Sequence, residues 1–367
     1  MRDSAIKLIL VITSLIFILL VLEIFLRFMP VVNSVYWSPV NKDDYILRHA
    51  ENSIITYSKH WNFKYKNERQ VNNYGFLNNQ NYNKNISKPI IAVIGDSYVE
   101  CMINPYEKTF YGLLSNTLEN KVVYSFGVSG AQLSQYLVWL NYVNKEFKPD
   151  VIIVPIIAND FDESFYKYKR TRGFHYFDEN LLDGTMKRVD RVDSFFRKAL
   201  MSSSLFRYVF FHLQAGDLLK KVKNLIIKAY NNDKTENRYI GNVVAEVSKE
   251  HEQDGILAID LFFTELDKLI KPNQKIFFVL DAIRPNIYYD DDIFDVKKSF
   301  WFKMRSHFSK KIDNEKYKLI DMQDPFKEHY KNNKIRFEYK TDGHWNNLAH
   351  QLVFEQLKKH IDLTKNN

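Results

Sequence analysis

Apolar and polar positions along the chain change pattern several times. Leu8–Leu22 carries no charged residue, and after Glu23 the apolar character resumes to Met29, with Arg27 as a second interruption. Taken as Leu8–Met29, the run is 22 residues. That is about 33 Å as a helix, enough to cross a bilayer. Glu23 and Arg27 are four apart near one end, where both can reach the interface, and Pro30 stops the helix. The pattern predicts an uncleaved membrane anchor over 1–30. A cleaved signal peptide is the alternative, but no A-x-A-like site follows and EIFLRFM reads as more helix.

Residues 31–88 are polar, rich in Asn, Lys and Tyr, and read as a juxtamembrane segment packing on a domain. From Pro89 the pattern alternates between short apolar runs and helical spacing. Pro89–Ile94, Lys121–Phe126, Asp150–Ala158 and Lys275–Leu280 read as buried strands, and Lys316–Ile320 as a fifth. Pro155 argues mildly against a central position for the third. Phe110–Leu118, Leu133–Val143, Ile256–Ile270 (after Gly255) and Leu348–Ile361 have helical spacing. The alternation predicts an α/β fold: a mostly parallel sheet with helices on both faces, a three-layer α/β/α sandwich over 89–362 followed by a short tail, 363–367. Residues 163–250 break the rhythm. Gly173–Gly184 looks like a hairpin and Ser194–Tyr230 looks largely helical, so this stretch is expected to be an inserted cap.

Composition sharpens the picture. At 367 residues and 46% hydrophobic, with 26% charged, the chain can bury a sizeable core and is not disordered. One cysteine excludes an internal disulfide framework and thiol-rich zinc sites. The net charge is +8, and residues 163–250 hold 17 Lys/Arg against 11 Asp/Glu. Such an excess suits a solvated face, or contact with anionic headgroups or an acidic polysaccharide. No nucleic-acid-binding motif is present.

The candidate chemistry sits where strands end. Gly95-Asp96-Ser97 follows the first strand, and in an open parallel sheet ligands bind at the strands' carboxyl ends. Ser97 is therefore a candidate nucleophile, or else a helix-capping serine. Gly127 and Gly130 follow the second strand, where a backbone N–H can approach a ligand; they are also ordinary turn glycines. Asn159 ends the third strand, and its amide would reach the same edge unless it forms an Asx turn. Asp342 and His344 are two apart in an extended segment, so they share a face, and the carboxylate can orient the imidazole. A polar loop capping the last helix is the alternative. Cys101 reads as buried packing rather than a reactive thiol, and Asp160 and Asp162 read as solvated, with shaping of the pocket as the alternative. Asp290–Asp292 resembles a calcium loop only in charge.

Together these blocks resemble the SGNH, or GDSL-type, hydrolase superfamily, whose marker residues match Ser97, Gly127, Asn159 and His344. The resemblance covers roughly 71–160 and 273–362, includes the lead-in Asn73-Tyr74-Gly75-Phe76, and is similar to membrane-anchored bacterial members with an E-x-x-x-R helix end (Glu23, Arg27). The chain departs from the family where D-x-x-H becomes Asp342-Gly343-His344, where Ser125 replaces an Asn, and where Ala349 replaces a Gly. The D-x-H-W form is similar to polysaccharide O-acetyltransferases of the superfamily. The resemblance implies a catalytic triad of Ser97, His344 and Asp342 with an oxyanion hole of Ser97 N–H, Gly127 N–H and the Asn159 amide. It implies no metal or organic cofactor. The implied activity is ester hydrolysis on a lipid or acylated glycan. The alternatives are O-acyl transfer to a cell-surface polysaccharide, with a membrane acyltransferase partner, or a non-catalytic anchored scaffold. Cationic residues flank the span almost evenly, and the short N-terminal head favours an extracytoplasmic domain.

Overall fold

The computed structural model describes residues 2–33, 36–215, 239–240, 243–289, 296–312 and 316–361. The acidic run Asp290–Asp292 and the later part of the predicted helical stretch up to Tyr230 lie outside them. Two compact units emerge: Met1–Tyr36 with Ser53–Gln70 and Val192–Thr235, and Trp37–Asn52 with Val71–Arg191 and Glu236–Asn367. The expected juxtamembrane segment and the expected cap are thus each divided between the units.

In the first unit, helix α1 (Arg2–Arg27) is long and apolar enough to cross a membrane. It is joined by an antiparallel hairpin, Ile54–Lys59 with Lys64–Gln70, and by helical turns at Phe195–Ser202, Ser204–Arg207 and Tyr208–His212.

The second unit is built on a five-stranded, wholly parallel sheet of β1 (Ile90–Gly95), β2 (Val122–Gly127), β3 (Val151–Ile156), β4 (Lys275–Leu280) and β5 (Tyr317–Asp321), in the order β2-β1-β3-β4-β5. Alternation along each strand feeds two cores. Ala92, Ile94, Phe126, Ile152, Val154 and Phe278 pack beneath α3 (Leu133–Glu146), α4 (Lys249–Leu269) and α5 (Phe300–Lys310). Ile91, Val93, Val123, Ile153 and Val279 face α2 (Phe110–Thr117), α6 (Gln323–Asn333) and α7 (Asn347–His360) on the other side. This is the predicted three-layer sandwich.

Pro155 does lie in the central strand. Pairing between β1 and β3 ends at Val93–Ile153, so the residue lacking an N–H comes after the last pair on that side. The helix expected to start after Gly255 starts at Lys249 instead. Gly255 is an interior position where a Cβ would approach Met304 Sδ to 2.6 Å and Phe300 Cε2 to 2.9 Å, so the glycine lets α4 and α5 pack closely. The α5 and α6 helices were not legible in the apolar pattern. In α6 an early Pro325 obscures the spacing.

The hairpin expected over Gly173–Gly184 extends past that bound, pairing His175–Phe177 with Met186–Arg188 beyond Gly184. Fully buried Phe278 contacts Phe262, Phe263, Phe308 and Tyr317. Phe278→Ala is expected to destabilise the sheet unit by about 3–5 kcal/mol, read from the midpoint of urea unfolding.

Candidate active site

Because all five strands run parallel, their carboxyl ends share one edge. The order reverses between β1 and β3, the place where open α/β sheets leave a crevice. Ser97 opens the turn Ser97–Glu100 directly after β1, and Asp96 caps it by accepting the Tyr98 N–H at 2.9 Å. The Ser97 hydroxyl donates to Asp96 Oδ2 at 3.3 Å.

Asp342–Trp345 is an extended segment paired with Glu338–Tyr339, which brings Asp342 and His344 onto one face. Asp342 Oδ1 accepts the His344 N–H at 3.0 Å and also bonds His344 Nδ1. The carboxylate side chain is 1% exposed and the imidazole 37%, so the acid is shielded while the ring faces outward. A proton on Nδ1 donated to Asp342 leaves Nε2 with the lone pair. The Tyr98 ring lies 5.1 Å from the His344 ring, which sets the histidine against the residue that follows Ser97. Among the described residues no hydrogen bond joins Ser97 to His344. Such bonds commonly tighten only once substrate is bound.

Gly127 ends β2, paired with Gly95. A Cβ there would lie 2.8 Å from Val99 Cβ and 2.9 Å from the Glu100 N atom, so the strand can approach the Ser97 turn only as glycine. Gly130, at the tip of the same loop, has φ +85° and open surroundings except for Lys169. The loop is held from behind by Glu100, which accepts from the Ser129 N–H at 2.9 Å and pairs with buried His49 at 2.5 Å. Asn159 follows β3 and donates to Glu163 Oε2 at 3.1 Å. Glu163 pairs with Lys169, which donates to the Gly130 carbonyl at 3.0 Å.

The residues with no signal in the sequence reading are those behind the histidine. Arg284, buried four residues past the end of β4, donates to the Gly343 carbonyl at 2.7 Å and the Tyr98 hydroxyl at 2.9 Å, and pairs with Asp281 and Glu338 at 3.3 Å each. Asp281 also accepts from Trp345 Nε1 at 2.9 Å. The clue available was Asp281-x-x-Arg284 immediately after an apolar strand.

A cavity of about 400 Å³ opens beside His344, lined by Tyr98, Ala158, Ile283, Tyr289 and Trp301. A larger one, about 650 Å³, lies at the opposite, amino edge by Lys275 and Lys316, away from these groups.

Asp160 corrects an expectation. It is fully buried rather than solvated, because its carboxylate turns back to accept the Ile157 N–H at 2.8 Å and the Tyr136 hydroxyl at 2.9 Å. Asp162 is shielded too, and faces His251 at 2.8 Å. Cys101 is buried, as expected, with Sγ 3.2 Å from both Asn104 Oδ1 and His350 Nε2.

No family model and no curated protein matches the sequence. The chain is similar to a solved member of the lipolytic protein G-D-S-L family from Veillonella parvula (11% identity, 74% of this chain, 97% of that chain, TM-score 0.38). It is also similar to an alpha/beta hydrolase enzyme from the metagenome of Lake Arreo, Spain (10%, 77%, 100%, 0.41) and to an acetyl xylan esterase (11%, 74%, 99%, 0.39). These likenesses are loose, and the chemistry of the site rests on its own geometry.

Burial pushes Asp96 up to about 6 and Asp160 well above the usual carboxylate range, and the Asp96 carboxylate raises Asp160 further. An ordinary aspartate titrates near 3.8. Between that value and about 6 Asp96 keeps its proton in the folded chain and has lost it in the unfolded chain, so its own contribution to stability falls as pH rises through the window. Asp96→Asn keeps an acceptor for the Tyr98 N–H and removes this titration. Its unfolding free energy is expected to decline less steeply there, and urea titrations across the window check this.

Proposed function

We propose that the chain is a serine ester hydrolase. The observation that carries the reading is the buried Asp342 carboxylate bonded to a half-exposed His344, which faces a cavity beside the serine turn at the sheet's carboxyl edge. A carboxylate behind and an open lone pair in front are what a general base needs.

Ser97 Oγ attacks the ester carbonyl carbon while His344 Nε2 takes its proton. The negative charge on the carbonyl oxygen is stabilised by the Ser97 and Gly127 N–H groups and by the Asn159 amide. When the tetrahedral intermediate collapses, the ester C–O bond breaks and His344 returns the proton to the leaving alcohol. Water then attacks the Ser97 ester with His344 again as base, releasing the acid and restoring the hydroxyl.

Labelling of the purified chain by a fluorophosphonate is expected to disappear in Ser97→Ala. Asn159→Ala is expected to keep the nucleophile but lose about 100- to 1,000-fold in kcat on p-nitrophenyl acetate. Equal labelling of wild type and Ser97→Ala would move the nucleophile elsewhere. Acyl transfer to an added glycan, in preference to water, would make the protein an O-acyltransferase using the same residues.

The apolar α1 supports a single-pass anchor, and we place the sheet unit outside the cytoplasm. A reporter active only outside the cytoplasm, fused after Asn367, is expected to be active. A fusion active only inside would reverse the orientation.

A further inference from the structure

The stretch from Phe195 to Leu213 (FFRKALMSSSLFRYVFFHL) presents its polarity the wrong way round for a water-facing surface. Phe195 is 88% exposed and Phe196 72%, with Phe210, Phe211 and Leu213 exposed as well. Two of its polar members, Arg207 and His212, turn inward. Arg207 is buried and donates to the Val32 carbonyl at 2.9 Å and the Met201 carbonyl at 2.6 Å. His212 is buried too, with the Val32 N–H donating to its Nε2 at 3.1 Å. Soluble surfaces rarely carry so concentrated an apolar patch, and an inward-facing guanidinium beside outward-facing phenyl rings is the arrangement lipid favours.

The same stretch is fastened to the end of the apolar helix. Glu23, an anion near the end of the membrane-length run, accepts from Ser203 Oγ at 2.8 Å and from the Ser204 and Leu205 N–H groups at 3.1 and 2.8 Å. It also accepts from Arg27 Nε at 2.9 Å. These four donors satisfy a carboxylate that would be costly in hydrocarbon. They also fix the stretch at the level where α1 leaves the bilayer. Lys198 is exposed among the aromatic residues and can reach phosphate headgroups.

We propose that Phe195–Leu213 is a membrane-interface element. It lies along the bilayer surface at the end of α1, with Phe195, Phe196, Phe210 and Phe211 in the acyl boundary. On this reading the first part of the basic insertion after Val192 serves as a second, monotopic contact that holds the anchor's exit in a fixed setting, rather than as a cap. The proposal rests on α1 spanning the membrane and not on the esterase reading.

The test uses the full chain reconstituted in phosphatidylcholine–phosphatidylglycerol vesicles, with an NBD fluorophore on Phe196→Cys or Phe211→Cys. Exposed Lys359→Cys on α7 is the reference site. Both phenylalanine positions are exposed, so these variants remove no core packing, and the chain without an added cysteine reports any labelling of buried Cys101. Lipids carrying a doxyl group high on the acyl chain are expected to quench both phenylalanine sites by about two-fold or more, with little effect at position 359. Quenching of both sites by aqueous iodide and not by doxyl lipid overturns the proposal. Shielding from both quenchers, the sign of a protein partner or second copy on this face, overturns it as well. Neither outcome depends on ester hydrolysis.

Discussion

Arg284 carries a full positive charge with almost no access to water, and a buried charge is tolerated only where its partners are held in place. Those partners come from three distant parts of the chain: Asp281 at the end of β4, the Tyr98 hydroxyl beside Ser97, and the Gly343 carbonyl between Asp342 and His344. The guanidinium therefore joins the serine turn to the histidine segment through the Tyr98 hydroxyl and the Gly343 carbonyl. Its rigid fork suits this task, since a lysine would present one point charge to partners in several directions. Trp345, bonded to Asp281, fixes the far end of the same segment.

Around that centre the site is held by polar groups with little access to water. Glu100 grips Ser129 and His49 behind the Gly127–Gly130 loop, and Asp96 and Asp160 are both buried, with the Asp96 carboxylate opposing ionisation of Asp160. Such groups cost desolvation energy, offset here by backbone N–H donors and hydroxyls. The outcome is a rigid floor beneath a half-exposed imidazole, which suits the general-base role proposed for His344.

Much of the sheet unit was legible from the chain alone. The strand positions, the flanking helices α2, α3, α4 and α7, and the order of Ser97, Gly127, Asn159 and His344 along the chain follow from apolar runs and turn residues, because local periodicity reports which face is buried. Asp342 and His344 were readable as a pair because two residues apart in an extended segment necessarily share a face. The division of residues 31–88 and of the 163–250 insertion between two units was not readable, since neither stretch has a sustained period. Residues 37–52 belong with the sheet, where His49 meets Glu100, and the stretch after Val192 belongs with α1, where Ser203–Leu205 meet Glu23.

What the sequence by itself determined is the five strands, most of the helices around them and the candidate site residues, because these are written in short-range spacing. Only the tertiary structure decided that Gly127 is a close-approach position under Val99, that Asp160 is buried, and that Arg284 braces the histidine segment. Each of these depends on atoms brought together from positions far apart in the chain. No local pattern encodes such a meeting, because it arises only when the parallel sheet gathers its carboxyl ends at one edge.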